Sequence, residues 1–339
     1  MFGSRLLLLG IGPTTLSALE SLVPHFTLLG VVRDRKVVAG APERDPVVVR
    51  AHDLGVPCFT DTRLAAVVRL VHDLRPDCVV ISSYNRIIGP ELLRHCPFVN
   101  VHYAPLPAYR GRANVNWAII NGEPEAAISI HTVAAGLDAG SILFQQRLPI
   151  GPDDNVGDLY AALNGLQRQY LGATVARFLS GYQGEPQDES QATYGCTRTP
   201  QDGEIDWGQP TTQIYALIRG LAAPYPGAFS FLHMQRLRIW RATPVINAPR
   251  YVGRIAGRVI GRSREAGSVD VLTGDGILRL YEVQFDSGEP LPAAQAITST
   301  RETLGLRTSD LLERIAQLEQ TVTRLQSAPA AVGAVKSEC

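Results

Sequence analysis

The chain has no Cys-x-x-Cys pair. Its five cysteines, Cys58, Cys78, Cys96, Cys196 and Cys339, are scattered and odd in number. That excludes a compact zinc or dithiol motif and a disulfide framework, and it fits a reducing, cytoplasmic setting. Long apolar runs are also missing. Leu6 to Leu9 is far too short to span a bilayer, and no signal-peptide cleavage pattern follows it, so no membrane partner is expected. Neither sign of charge is in excess: 32 basic residues balance 32 acidic ones over 339 positions. A balanced surface is poor footing for a dedicated nucleic-acid or anionic-membrane binder. Internal repeats are absent. What remains, 45% hydrophobic and 19% charged, is the composition of a globular protein long enough for two domains.

The opening reads as β-α-β. Arg5 to Gly10 is a buried strand, Thr14 to Leu22 a helix, and Phe26 to Val32 a second strand. Nearly continuous apolar strands of this kind imply a parallel sheet covered on both faces. The turn Gly10-Ile11-Gly12-Pro13-Thr14-Thr15 lacks the third glycine of a dinucleotide fingerprint, because Thr15 occupies that position. NAD is therefore not expected. Arg33 to Arg50 mixes charge, glycine and proline and reads as a mobile loop. A strand at Cys78 to Ser82 runs into Ser83-Tyr84-Asn85-Arg86-Ile87-Ile88. Ligands of open α/β sheets bind just past such carboxyl ends.

The stretch from Phe98 to Asp138 carries the chemistry. Asn100 and His102 stand two apart in strand-type sequence, so their side chains share a face. Pro105 and Pro107 then end the strand. Asp138 lies in the turn Gly136-Leu137-Asp138-Ala139-Gly140, where its carboxylate could reach the imidazole. A further histidine, His131 in the strand Ala127 to Val133, reads as a satisfied sheet histidine. No cluster of metal ligands is apparent.

Asn100-x-His102, then Pro105-Leu106-Pro107-x-Tyr109-Arg110-Gly111, then Gly136-Leu137-Asp138-x-Gly140, resembles the folate-dependent formyltransferase family over about residues 5 to 290. The resemblance implies a formyl donor, 10-formyltetrahydrofolate, with Asn100, His102 and Asp138 as the catalytic residues. It assigns Ser83, Tyr84, Asn85, Arg86 and Ile87 to the folate pocket. Tyr103, Pro105, Tyr109, Arg110 and Arg112 become acceptor-binding residues, the two arginines as partners for substrate phosphates. In such chemistry an Asn amide donates to the oxyanion, a His takes the proton, and an Asp orients the His.

The segment Tyr109 to Glu123 is most similar to the branch that formylates amino sugars, which implies a small nucleotide-linked amino sugar as acceptor. The pattern Tyr194 to Trp207 leans the same way, although the arginine expected near Cys196 or Thr197 is missing. Two other readings stay open: a methionyl-tRNA formyltransferase and a formyl-folate hydrolase. Against tRNA, residues 241 to 300 hold seven arginines, six acidic residues and no lysine. Hydrolases of the family usually carry a preceding regulatory domain, whereas here the sheet begins at once.

The expected architecture is α/β: a Rossmann-like, doubly wound parallel sheet over residues 1–195, then a small OB-like β domain over 196–300. A C-terminal helix spans 301–326, and a disordered tail spans 327–339. Leu304, Leu311, Ile315, Leu318, Val322 and Leu325 follow a heptad spacing in that segment. Two placements fit it: a short coiled coil making a homodimer, or packing back on the same chain.

Overall fold

The computed structural model describes residues 3–12, 14–34 and 45–327. They fall into two compact units, Met1–Gly203 with Ala216–Pro226, and Glu204–Tyr215 with Gly227–Cys339.

The first unit is built on strands β1 (Arg5–Leu9), β2 (Thr27–Val32), β3 (Cys58–Phe59), β4 (Cys78–Ser82) and β5 (Phe98–His102), with β6 (Arg110–Gly111), β7 (Glu125–Thr132), β8 (Ile142–Pro149) and β9 (Tyr194–Gly195) following. Seven of them make one sheet in the order β3-β2-β1-β4-β5-β7-β8, while β6 and β9 pair separately. The strands from β3 to β5 run parallel, and β5-β7 and β7-β8 are antiparallel. The expected parallel sheet thus carries an antiparallel edge, because the turn from β7 to β8 is too short for a crossover.

Alternation along β1 explains why both faces are covered. Leu6 and Leu8 pack with Leu19 and Leu22 of the helix Thr15–Leu22 and with Leu163 and Leu171 of the helix Val156–Leu179. Leu7 and Leu9 pack on the opposite face with Val67 and Val71 of the helix Leu64–Leu74. The long helix starts on a capping box. The Asn155 side chain accepts from Gly157 N (2.8 Å), and Asp158 accepts from Asn155 N (3.0 Å).

One expectation fails in the stretch Arg33 to Arg50. Its last residues are helical, in Pro46–Asp53, because Asp45 accepts from Val47 N at 2.8 Å and Pro46 occupies the first turn. Asp45 also forms a buried ion pair with Arg33 at 2.7 Å. Arg33 in turn donates to the carbonyls of Gly10 (2.9 Å) and Gly12 (3.0 Å), which fixes the turn after β1. The rest of the expected loop, residues 35–44, lies outside the described residues.

The second unit holds β10 (Ala228–Leu232), β11 (Gln235–Pro244), β12 (Val259–Ser263), β13 (Ser268–Leu272), β14 (Ile277–Phe285) and β15 (Leu291–Pro292) in one antiparallel sheet, ordered β10-β11-β14-β13-β12 with β15 on β14. Val269, Val271, Leu278 and Leu280 are buried, while the intervening Asp270 and Arg279 pair across the strands at 2.6 Å. The stretch Arg254 to Ile260 suggests a strand along its length, but β12 begins only at Val259. Arg254 instead lies in a loop, donating to the carbonyls of Thr273 (2.8 Å) and Gly276 (3.0 Å). The helix Thr308–Ser327 ends the description; the expected disordered tail lies outside it from residue 328 onward.

Candidate active site

Asn100 and His102 sit at the carboxyl end of β5, on one face, as the two-residue period dictates. Asp138 comes to them from the turn between β7 and β8. It adopts φ +49°, a left-handed conformation that Asp tolerates better than most residues. Gly140 closes that turn where no side chain fits: a Cβ would lie 1.7 Å from the Thr132 carbonyl oxygen.

Asp138 is the hub of the cluster. Its Oδ1 accepts from Asn100 Nδ2 (3.3 Å) and its Oδ2 from Gly111 N (2.9 Å). Oδ2 lies 3.6 Å from His102 Nδ1, and the two side chains are only 12% and 8% exposed. His102 Nε2 lies 2.8 Å from the Tyr109 carbonyl oxygen and 3.1 Å from Asn114 Nδ2, between an acceptor and a donor. Its Nδ1 faces the Asp138 carboxylate.

His131 belongs to this cluster. It stands opposite Asn100 in the β5-β7 register, and Asn100 Nδ2 donates to its Nε2 at 3.1 Å. His131 Nδ1–H donates to Thr132 O (2.8 Å), which leaves Nε2 as the acceptor. Burial, reinforced by the nearby His102, pushes its pKa below the usual histidine range. Both amide hydrogens of Asn100 are thus engaged, one by His131 and one by Asp138. The signal for His131 was present in the sequence. Ser129 and His131 repeat, on an apolar strand, the two-residue polar spacing of Asn100 and His102.

The loop after β4 presents Ser83, Asn85, Arg86 and Ile87 to solvent, with Tyr84 half-buried and Ile88 buried beneath as its anchor. It is tied down at several points. Ile11 N donates to Ser83 O (3.1 Å), Thr14 Oγ1 meets Ser83 Oγ (2.6 Å), and Tyr84 OH donates to Thr62 O (2.8 Å). Arg112 Nη2 donates to Asn85 O (2.8 Å), linking this loop to the segment after β6.

The acceptor-binding candidates divide. Pro105 and Tyr109 line a small cleft of about 60 Å³ with Glu123 and Arg147. The Tyr109 hydroxyl donates to Glu123 and accepts from Asn121 Nδ2 (3.0 Å). Tyr103 also lines it, but its hydroxyl is bound to Asn164 Oδ1 (2.8 Å) and Gln167 Oε1, and burial raises its pKa. Arg110 departs most from expectation. Its side chain is 1% exposed, with Glu189 on Nη1 (2.8 Å) and Nη2 (2.7 Å) and Gln187 on Nη2 (2.8 Å) and Nε (3.2 Å). A weaker contact to Tyr194 OH at 3.5 Å takes the fifth N–H, so no donor is left for a phosphate. The hydrogen bond from Arg110 holds the Glu189 carboxyl below its usual range. Gln187 also donates to the carbonyls of Asp138 and Gly140, both at 2.7 Å. Arg110 is thus a buttress for the turn that carries Asp138. Among the described residues no group of His, Cys, Asp and Glu is placed to hold a metal ion.

The chain thus combines a largely parallel sheet, with a polar cluster past its carboxyl ends, and an antiparallel β unit. Residues 36–175 match the family described as Formyl transferase, and residues 198–301 match Formyl transferase, C-terminal domain. Together these matches cover most of the chain, which belongs to the formyl transferase family. Among solved structures it is similar to HypX from Aquifex aeolicus in complex with tetrahydrofolic acid (TM-score 0.63, 16% identity, 88% of this chain and 47% of that one). It is also similar to WlaRD, a sugar 3N-formyl transferase in the presence of dTDP and 5-N-formyl-THF (TM-score 0.60, 15% identity, 84% and 99%). A sugar N-formyltransferase from a Shewanella species matches at TM-score 0.54 and 17% identity over 67% of this chain and 92% of that one. At these identities the likeness establishes the fold, and the chain spans about half the length of the HypX protein it matches.

Proposed function

We propose that this protein transfers the formyl group of 10-formyltetrahydrofolate to the amino group of a nucleotide-linked amino sugar. The observation that carries the transfer is the convergence of Asn100, His102 and Asp138 on one buried cluster at the end of β5. The acceptor amine attacks the formyl carbon and a tetrahedral oxyanion forms. The C–N10 bond then breaks, and the amine proton passes to tetrahydrofolate by way of His102. His102 takes that proton, and Asp138 stabilises the imidazolium. Asn100 donates to the oxyanion by giving up its longer contact, the 3.3 Å one to Asp138, while His131 keeps the amide oriented. The pteridine lies along Ser83–Ile87. The free thiols of Cys58, Cys78, Cys96 and Cys196 support a reducing, cytoplasmic location.

Two features support a sugar nucleotide over tRNA. Residues 241–300 of the second unit are nearly neutral and have no lysine, and Arg112 remains beside the folate loop as a phosphate partner once Arg110 is set aside. The test offers charged initiator tRNA and a panel of nucleotide-linked amino sugars in parallel, with 10-formyltetrahydrofolate as donor and mass detection of product. At least one sugar should be formylated, with little loss of affinity as salt rises. Formylation of tRNA alone, with the steep salt dependence of a polyanion, overturns the acceptor assignment.

A further inference from the structure

The helix Thr308–Ser327 is exposed along nearly its whole described length, apolar side included. Leu311, Ile315, Leu318, Val322 and Leu325 are between 38% and 68% exposed. On the other side, Asp310, Glu313, Arg314 and Gln317 border an open groove of about 830 Å³, facing His233 and Met234. The apolar stripe therefore has no cover from the described residues of this chain, and five large aliphatic side chains in a row need one.

We propose that this helix pairs, parallel and in register, with the same helix of a second copy of the chain, as a two-stranded coiled coil. The choice of side chains points to that partner. The spacing 4-3-4-3 places Leu311, Leu318 and Leu325 at d and Ile315 and Val322 at a. β-Branched residues at a with leucine at d favour parallel dimers over trimers and tetramers. The flanking charges agree. Arg314 falls at g and Glu319 at the following e, so a parallel in-register pair sets each Arg314 against the Glu319 of its mate. An antiparallel pair sharing the same core layers would set Glu319 against Glu319. A membrane surface fits less well, because the helix carries Asp310, Glu313 and Glu319 against only Arg314 and Arg324, whereas interfacial helices are basic.

Five layers make a short coiled coil, so the dimer is concentration-dependent. Sedimentation of the full chain from roughly 1 to 100 µM should show the mass rising from 36.7 kDa towards twice that value. Ile315→Lys, at an exposed site that the fold does not need, should remain monomeric throughout. Arg314→Glu should weaken the dimer roughly two- to tenfold, and Arg314→Glu with Glu319→Arg should restore it. With Cys196 and Cys339 changed to Ser, Leu325→Cys should cross-link to itself on oxidation. A wild-type chain monomeric at every concentration overturns the proposal. So does a tetramer, a charge swap that fails to restore association, or Leu325→Cys that cross-links only to Ile315→Cys. Recruitment to anionic vesicles without dimerisation would assign the stripe to lipid and refute it equally.

Discussion

Two neighbouring strands, β5 and β7, carry the same polar pattern and put it to different use. Each places two polar side chains two residues apart in apolar sequence, Asn100 and His102 on one, Ser129 and His131 on the other, and the register pairs them crosswise. His131 is 1% exposed, has both ring nitrogens bonded to fixed partners, and is held neutral by burial. His131 Nε2 also lies 3.7 Å from Asp138 Oδ1, but the Asn100 amide donates to it; His102 Nδ1 faces the same carboxylate at 3.6 Å, with Tyr109 O and Asn114 Nδ2 on its other nitrogen. A proton can be accepted beside a carboxylate at little electrostatic cost. It cannot be accepted at His131 without breaking the hydrogen bond from Asn100 and charging a buried ring. The same residue type on the same face thus holds an amide in one strand and is free to move a proton in the other. Both rings approach Asp138; the difference is that the Asn100 amide occupies Nε2 of His131 and that burial of this ring outweighs the carboxylate.

The sharpest way to break this contrast is to remove the charge at the hub. Asp138→Asn keeps the shape and can still accept from Gly111 N, but it withdraws the carboxylate from His102. Formyl transfer should fall on the order of a thousandfold, with donor affinity retained; a loss under tenfold in steady-state turnover would detach Asp138 from the chemistry. Next in size is Asn100→Ala, which removes the oxyanion donor and should lower kcat by about a hundredfold with KM for the donor little changed. An equal loss in binding of tetrahydrofolate would instead mark Asn100 as a ligand contact.

The two arginines offer a smaller, separable pair of effects. Arg110→Ala removes the support of the Asp138 turn, so it should lower kcat about tenfold and reduce the melting temperature while leaving the acceptor KM nearly unchanged. Arg112→Ala should do the reverse, raising the acceptor KM several-fold without loss of stability. Identical behaviour of the two variants would erase the distinction between buttress and phosphate partner.

The smallest effect is on stability against pH. His131 has its pKa lowered from 6.5 to about 4, so between those values the unfolded chain binds more protons than the folded one. Its contribution is present above pH 6.5 and is lost as pH falls towards 4, a loss on the order of 3 kcal/mol. Denaturant midpoints across that window should decline in the wild type and decline less in His131→Gln. Parallel slopes would mean that the ring is not held neutral.

The sequence made the sheet legible because its strands are short apolar runs bounded by glycine and proline. It made Asn100 and His102 legible because a two-residue period is a strong constraint. Other features depended on partners far away in the chain. Arg110 looks the same whether it faces a phosphate or Glu189, and the residues that engage it lie nearly 80 positions downstream. His131 was legible in its spacing, yet its partner became visible only with the antiparallel register of β5 and β7. The helix Pro46–Asp53 had its Asp-Pro start in plain view within a charged, glycine-containing stretch that suggested a loop. The turn between β10 and β11 gave no cue, because His233 and Met234 take left-handed φ values of 48° and 65° without glycine or asparagine.

The most direct measurement is single-turnover formyl transfer by His102→Ala beside His131→Gln, with the best acceptor and saturating 10-formyltetrahydrofolate. If His102 is the proton acceptor, His102→Ala falls below a hundredth of the wild-type rate with donor binding intact, while His131→Gln, which can still accept from Asn100, keeps a tenth or more. A His102→Ala enzyme that keeps more than a tenth of the wild-type rate contradicts the assignment.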